Sequence, residues 1–311
     1  AFHTIGFYII KTFIPTKLTI LYLYPKGYPE NFWFASKEFF IALFVIIASI
    51  LYIVNIKKIR RGVNFGIVLF VATLLPVLRL IPIGESFAAD RYMYIPIIGV
   101  CFALATSLEY IYIKNDLEKK IICVIGGIFV IFFTLSSYRH IAVFKNSYTL
   151  WTNSLKVYPD YPDAKLNIGE YLASHGKLNE AEQYFVEIVD NEKVKQKAMY
   201  NLGAVYLDQN RPEEAEELFL ELIQEFPENV KSYIQLGNIF DMKRDAKKAD
   251  SFYKKSLELE PENAYAHHNY AIFLENVSQP ALAIKHYKLA NKYRPGQPAT
   301  IAALKRLGAL R

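Results

Sequence analysis

The sequence predicts an all-α protein in two unlike halves: a membrane domain of four spanning helices, then a solenoid of paired helices on the exoplasmic side. Three observations carry this. Four charge-free apolar windows follow one another between residues 39 and 138. Residues 160–311 repeat with a period of 34. Charge is also segregated, with 14 Lys+Arg against 7 Asp+Glu in residues 1–140 and 22 against 23 in residues 141–311. A mean hydropathy of +0.13 alongside 21% charged residues is unusual for one soluble globule, and this division explains it. The basic balance belongs to the apolar half, which excludes the clustered cationic surface that nucleic-acid binding needs. Two cysteines exclude a disulfide framework, and no CxxC or Cys/His cluster suggests a structural metal.

The windows 39–56, 62–78, 92–108 and 121–138 hold 18, 17, 17 and 18 residues. Each approaches the roughly 20 residues that cross a hydrocarbon core of about 30 Å. The second extends to residue 82 and the third to residue 113. Residues 1–14 are apolar too but carry Lys11 and stop at Pro15, as an interfacial helix or the tail of a span would. The chain opens on Ala1 without a leader pattern, so it reads as the C-terminal part of a longer protein. Lys57, Lys58, Arg60 and Arg61 form one cationic turn, and residues 114–120 carry three more lysines. The positive-inside rule places both turns in the cytoplasm and everything after the fourth span outside it. Cys101 and Cys123 fall within spans, as small packing residues.

In the second half Gly169, Gly203 and Gly237 are 34 apart, with Ala271 next in phase. Ala181, Ala215, Ala249 and Ala283 keep the same step, as do Phe185, Phe219, Tyr253 and Tyr287. Pro227, Pro261 and Pro295 close three units. This is the tetratricopeptide (TPR) pattern, in which small residues sit where two helices touch, an aromatic fills the gap and proline ends the second helix. Four repeats occupy residues 161–296. Ser147, Trp151 and Pro159 continue the phase upstream, so residues 141–160 form a degenerate half-repeat whose first helix is the end of the fourth span. With no glycine in residues 139–163, that junction reads as rigid and Trp151 as buried against the first full repeat. Residues 297–311 form a capping helix.

Asn167, Asn201, Gln235 and Asn269 recur two residues before the repeat glycine or its alanine equivalent. Such a line of amides pairs with an extended peptide backbone whatever its sequence, and Tyr200, Tyr265 and His268 share the groove by phase. The alternative is that these amides simply bond neighbouring helices. A regular Lys/Arg set for a terminal carboxylate is missing.

The stretch Asp90-Arg91-Tyr92-Met93-Tyr94-Ile95-Pro96, within residues 87–99, resembles a segment of the transmembrane and TPR mannosyltransferase family. Residues 148–169 are similar to that family's entry into its repeats. The family belongs to the GT-C membrane glycosyltransferases. The resemblance implies protein O-mannosylation from a polyprenyl-phosphate-sugar donor, with no other cofactor and no metal. Partners would be the bilayer, the lipid donor and a protein or peptide acceptor in the groove, and there is no nucleic acid. Arg91, helped by Arg79, would grip the donor phosphate, because a guanidinium holds two phosphate oxygens at once. Tyr92 and Tyr94 would add hydroxyls. The acidic residues of this enzyme class lie in a first exoplasmic loop upstream of these residues, so no catalytic base is carried over; Glu85 and Asp90 read as capping or as partners of Arg91. The competing function is a membrane-anchored TPR scaffold without catalysis. A transporter is disfavoured, since the windows contain no ionisable relay. The location expected is a bacterial inner membrane with the TPR half in the periplasm, the endoplasmic reticulum being the alternative.

Overall fold

The computed structural model describes residues 7, 8, 10, 11, 18, 19, 22, 23, 60–74, 86–88, 95–112 and 116–310. It divides into two compact units, Ala1–Tyr161 and Pro162–Arg311.

In the first unit, α1 (Arg60–Leu74) packs against α2 (Pro96–Tyr112) through glycine. A Cβ placed on Gly66 would lie 2.6 Å from the Gly99 carbonyl oxygen, and one on Gly99 only 2.5 Å from that of Gly66. Gly62 meets Thr106 and Gly66 also meets Ala103 in the same way. Small residues one turn apart bring the two backbones into contact, the mode by which helices associate in lipid. The hydroxyls of Thr73, Thr106 and Ser107 donate back to carbonyls of their own helices. They therefore present no unpaired polar group.

The next helix, α3 (Asp116–Ile141), exposes much of its apolar length. Val124, Ile128, Ile131 and Leu135 on one face are 61%, 61%, 62% and 54% exposed, and Ile125 and Val130 on other faces are 49% and 66% exposed. Among the described residues Cys123–Phe144 is the one helical stretch long and apolar enough to cross a membrane. Four such spans are therefore not shown. The first window lies outside the described residues. The second and third give helices of 15 and 17 residues. The third starts at Pro96 rather than residue 92, because proline suits the first helical turn and disfavours α geometry in the residue before it.

The all-α expectation also misses a ribbon. The strand β1 (Tyr22–Leu23) pairs antiparallel with β2 (Ser86–Ala88), matching Tyr22 to Ala88 and Leu23 to Ser86. Neither segment has strand periodicity, so long-range pairing alone reveals them.

After α3 a short 3₁₀ turn over Ala142–Phe144 leads into α4 (Ser147–Val157). Asn146 starts α4 with a capping box, its side chain accepting from the Thr149 amide while its own N–H donates to Thr149 Oγ1. The half-repeat helix meets Leu18 and Thr19, where Asn153 Nδ2 donates to the Leu18 carbonyl and Ser154 Oγ lies 3.1 Å from Thr19 Oγ1. Trp151 is half-buried, its ring centroid 6.2 Å from that of Tyr161.

The second unit is a stack of helix pairs. They are α5 (Pro162–Ser174) with α6 (Leu178–Val186), α7 (Lys195–Asp208) with α8 (Pro212–Glu225), α9 (Val230–Met242) with α10 (Ala246–Leu259), and α11 (Ala264–Asn276) with α12 (Pro280–Tyr293). A last helix, α13 (Pro298–Arg306), covers the end. Each pair packs on the next. A Cβ on Gly169, Gly203 or Gly237 would come within 2.6, 2.6 and 2.7 Å of the ring of Phe185, Phe219 or Tyr253, so each ring lies directly on its partner's backbone. Those rings and the four phased alanines are fully buried. One core runs from Met199 to Leu304.

The turn inside each pair has its own 34-residue period. Gly176, Asn210, Arg244 and Ser278 all have left-handed backbones, at φ of 74°, 61°, 59° and 60°. In each, the following residue's N–H returns to the carbonyl five residues back, as Lys177 does to Leu172 and Asp245 to Phe240. Asn229 and Asn263 then start the next helices by accepting from the amides of Ser232 and Ala266.

Two stability predictions follow from these contacts. Gly203→Val overpacks the Phe219 ring and should cost at least about 2 kcal/mol in a denaturant titration of the chain. Arg244→Gly removes left-handed strain worth about 1–2 kcal/mol, partly offset by added freedom in the unfolded chain. It should stabilise by about 0.5–1 kcal/mol and raise the thermal midpoint measured by far-UV circular dichroism.

Candidate concave binding face

The first helix of every pair carries one of the four phased amides, and each amide is already anchored through one N–H. Asn167 Nδ2 donates to the Asp163 carbonyl at 2.6 Å and Asn269 Nδ2 to that of Tyr265 at 2.9 Å, each within its own helix. Asn201 Nδ2 reaches Glu170 on α5 at 2.9 Å, and Gln235 Nε2 reaches the Tyr200 hydroxyl on α7 at 3.3 Å. Two of the four therefore bond neighbouring helices, the alternative the sequence leaves open. An amide NH₂ has two hydrogens, so every one keeps an N–H after anchoring, and the oxygens of Asn167, Asn201 and Asn269 have no partner among the described residues. The anchoring bonds fix the amide planes in advance.

A cavity of about 450 Å³ opens between the second and third pairs. It brings together Tyr200 and Asn201 with Lys197, Lys231, Asn229 and Asn263, while Glu170 and Glu260 stand at its edges. The Lys231 ammonium sits 5.7 Å from the Tyr200 ring centroid. Lys197 and Lys231 are 34 apart, as are Asn229 and Asn263; the period that finds the amides also finds them when counted at every position. A second, mainly carbon-lined cavity of about 300 Å³ lies at the last pair and includes His268. His268 Nδ1 is 2.9 Å from Thr300 Oγ1 on α13, and its burial lowers its pKa. Tyr265 is exposed, with the Arg294 guanidinium 4.8 Å from its ring centroid. Asn167, Gln235, Asn269 and Tyr265 line neither cavity. Arg79, Arg91, Tyr92 and Tyr94, expected at a donor phosphate, lie outside the described residues, as do Glu85 and Asp90. Among the described residues no three metal-ligating side chains converge.

Comparison with known proteins agrees with the repeat. Three tetratricopeptide-repeat profiles match residues 196–229, 230–263 and 252–285. This stretch is a TPR domain. No curated protein matches the sequence. Solved structures similar to the chain include TTC0263, a thermophilic TPR protein of Thermus thermophilus, at 17% identity over 58% of this chain and 95% of that one, with a TM-score of 0.47. Pseudomonas aeruginosa PilF is similar at 19% identity over 51% and 72%, TM-score 0.44. MamA of Desulfovibrio magneticus RS-1 matches at 19% over 48% and 84%, TM-score 0.41. These likenesses concern the fold and assign no function to this chain.

Behind the groove, the fourth pair holds two histidines face to face. His267 Nδ1 lies 2.9 Å from His286 Nδ1, and His267 Nε2 lies 2.9 Å from the Pro261 carbonyl. Since a carbonyl only accepts, His267 donates from Nε2 and must accept at Nδ1, which makes His286 the donor between them. Both rings are neutral in this arrangement. Burial lowers both pKa values, and His286, also facing His267 and Lys285, falls to about 4. A histidine with a depressed folded pKa leaves the unfolded chain holding more protons, so stability is present above about 6.5 and lost as pH falls towards about 4. The thermal midpoint should fall across that interval. It should fall less steeply in His286→Asn, whose amide keeps a donor near Nδ1 but cannot take up the proton.

Proposed function

We propose that the chain is a membrane-anchored TPR scaffold whose concave face holds an extended segment of a partner protein. The observation that carries the binding role is the line of four pre-oriented amides, each keeping an N–H for an incoming backbone. The neighbouring 450 Å³ cavity, with lysine and glutamate at its walls, gives that segment further polar contacts. Anchoring rests on α3, where Ile121, Val124, Ile125, Ile128, Val130, Ile131 and Leu135 are exposed, an arrangement costly in water and favourable in lipid. The glycine contacts between α1 and α2 accord with it. The cationic turns at residues 57–61 and 114–120 favour an exoplasmic TPR domain.

Glycosyl transfer is the second reading. Its specific support is the likeness of residues 87–99 to the mannosyltransferase segment, and it supposes a catalytic loop upstream. No donor-phosphate geometry stands behind it, so the polyprenyl-phosphate partner belongs to this reading alone. The scaffold accounts for more of the described chain.

The test replaces Asn167, Asn201, Gln235 and Asn269 together by alanine and measures binding of a fluorescein-labelled unstructured polypeptide by anisotropy. At about 0.5–1.5 kcal/mol per hydrogen bond, affinity should drop at least about 30-fold while the helical signal is unchanged. Equal affinity would return the amides to a purely structural role, within and between helices.

A further inference from the structure

The concave face changes chemistry towards its C-terminal end. The first cavity is walled by lysine, glutamate and amides. The second is walled by Ile272, Ala299, Ala302 and Ala303, with the Tyr287 ring beside them. The repeat phase explains the space. Ala299, Ala302 and Ala303 on α13 stand where α11 carries Tyr265, His268 and Asn269, so methyl groups replace three larger side chains. The polar groups around the cavity are already engaged. His268 meets Thr300, the Tyr287 hydroxyl donates to Glu275 at 2.6 Å, and Arg306 donates to both oxygens of the same Glu275 at 2.8 Å. What enters must therefore be apolar. At about 300 Å³ the cavity is at the low end for ligand sites, room for one large side chain.

The surroundings select the neighbours of that side chain. Residues 276–310 contain six Lys and Arg and no Asp or Glu; with Arg306 paired to Glu275, the excess rests on the other five, including Arg294 stacked on Tyr265 and Lys305 on α13. We propose that this pocket is an anchor site for one bulky aromatic or branched aliphatic side chain of a partner protein, flanked in that partner by acidic residues. The site rests on the groove reading above and extends it, since it assigns the bound segment a fixed point at the cap. The amides hold any backbone, and the pocket chooses the sequence.

The experiment uses the full chain and fluorescein-labelled twelve-residue peptides carrying one central Trp, Leu or Ala between glutamates, with a lysine-flanked Trp peptide as control. Anisotropy should show the glutamate-flanked Trp and Leu peptides binding at least about tenfold more tightly than the Ala peptide. The Trp peptide should lose affinity as salt rises, and its lysine-flanked counterpart should bind more weakly at low salt. Ala302→Phe, at an exposed position of the cap, should fill the pocket and abolish the preference for Trp over Ala while leaving the melting curve unchanged. Equal binding of the Trp and Ala peptides, a preference that survives Ala302→Phe, or no binding by any peptide overturns the proposal. So does a concentration-dependent dimer that Ala302→Phe dissociates, which would make a second copy the occupant. Failure of the groove reading shows separately, as Ala-peptide affinity unchanged by the four amide substitutions.

Discussion

The solenoid depends on a single contact made in its first three helix pairs, an aromatic ring laid on the backbone of a glycine; in the fourth pair Ala271 holds the glycine's place. Where Phe185, Phe219 and Tyr253 meet Gly169, Gly203 and Gly237, a methyl group on the glycine would intrude on the ring. The missing side chain lets two helices approach closely and sets the angle at which their faces meet. The buried alanines at 181, 215, 249 and 283 sit at the same crossings. A pair built this way still exposes an apolar flank, so it needs the next pair, and the core continues to the cap. The tyrosines that replace phenylalanine in the third and fourth pairs bring a hydroxyl, which finds Asn238 and Glu275.

Glycine serves the first unit by the same geometry. Between α1 and α2 it lets backbone meet backbone, whereas in the repeats it lets backbone meet ring. The difference is in what lies outside. The repeats present lysine and glutamate, while α3 presents isoleucine, valine and phenylalanine around its circumference. Burying such a helix among neighbours or in lipid stabilises it by the usual area term, and leaving it in water does not.

The concave face combines two chemical environments, a polar one lined by amides and lysines and a carbon-lined one at the cap. In the proposed mode, amides at a fixed step would hold a backbone whatever its sequence, and the carbon-lined cavity at the cap would select by shape. They occur together because α13 follows the repeat phase in its position while departing from it in its side chains. A helix that caps a solenoid has lost its next neighbour, and small residues on its inner face then leave open space.

Much of this was legible in the sequence, because a 34-residue period is a covalent fact that packing merely obeys. Gly203, Ala215 and Phe219 announce a close helix crossing through their types and spacing alone, and the amides share their phase. The left-handed turns were hidden, since Asn210, Arg244 and Ser278 share a conformation and no chemistry. The β1–β2 ribbon was hidden as well, for its two short segments have no periodicity and meet only across a long stretch of chain. The apolar windows showed where helices could form, but proline set the start of α2 at residue 96. Sequence determined the repeat, its crossings and the line of amides, because these depend on spacing along one helix. Only the tertiary structure decided which hydrogen each amide has left to offer, that Lys197 and Lys231 share a cavity with Asn201, and that three alanines leave a pocket beside Tyr287. Those properties arise between helices, where distance and not sequence separation determines what touches.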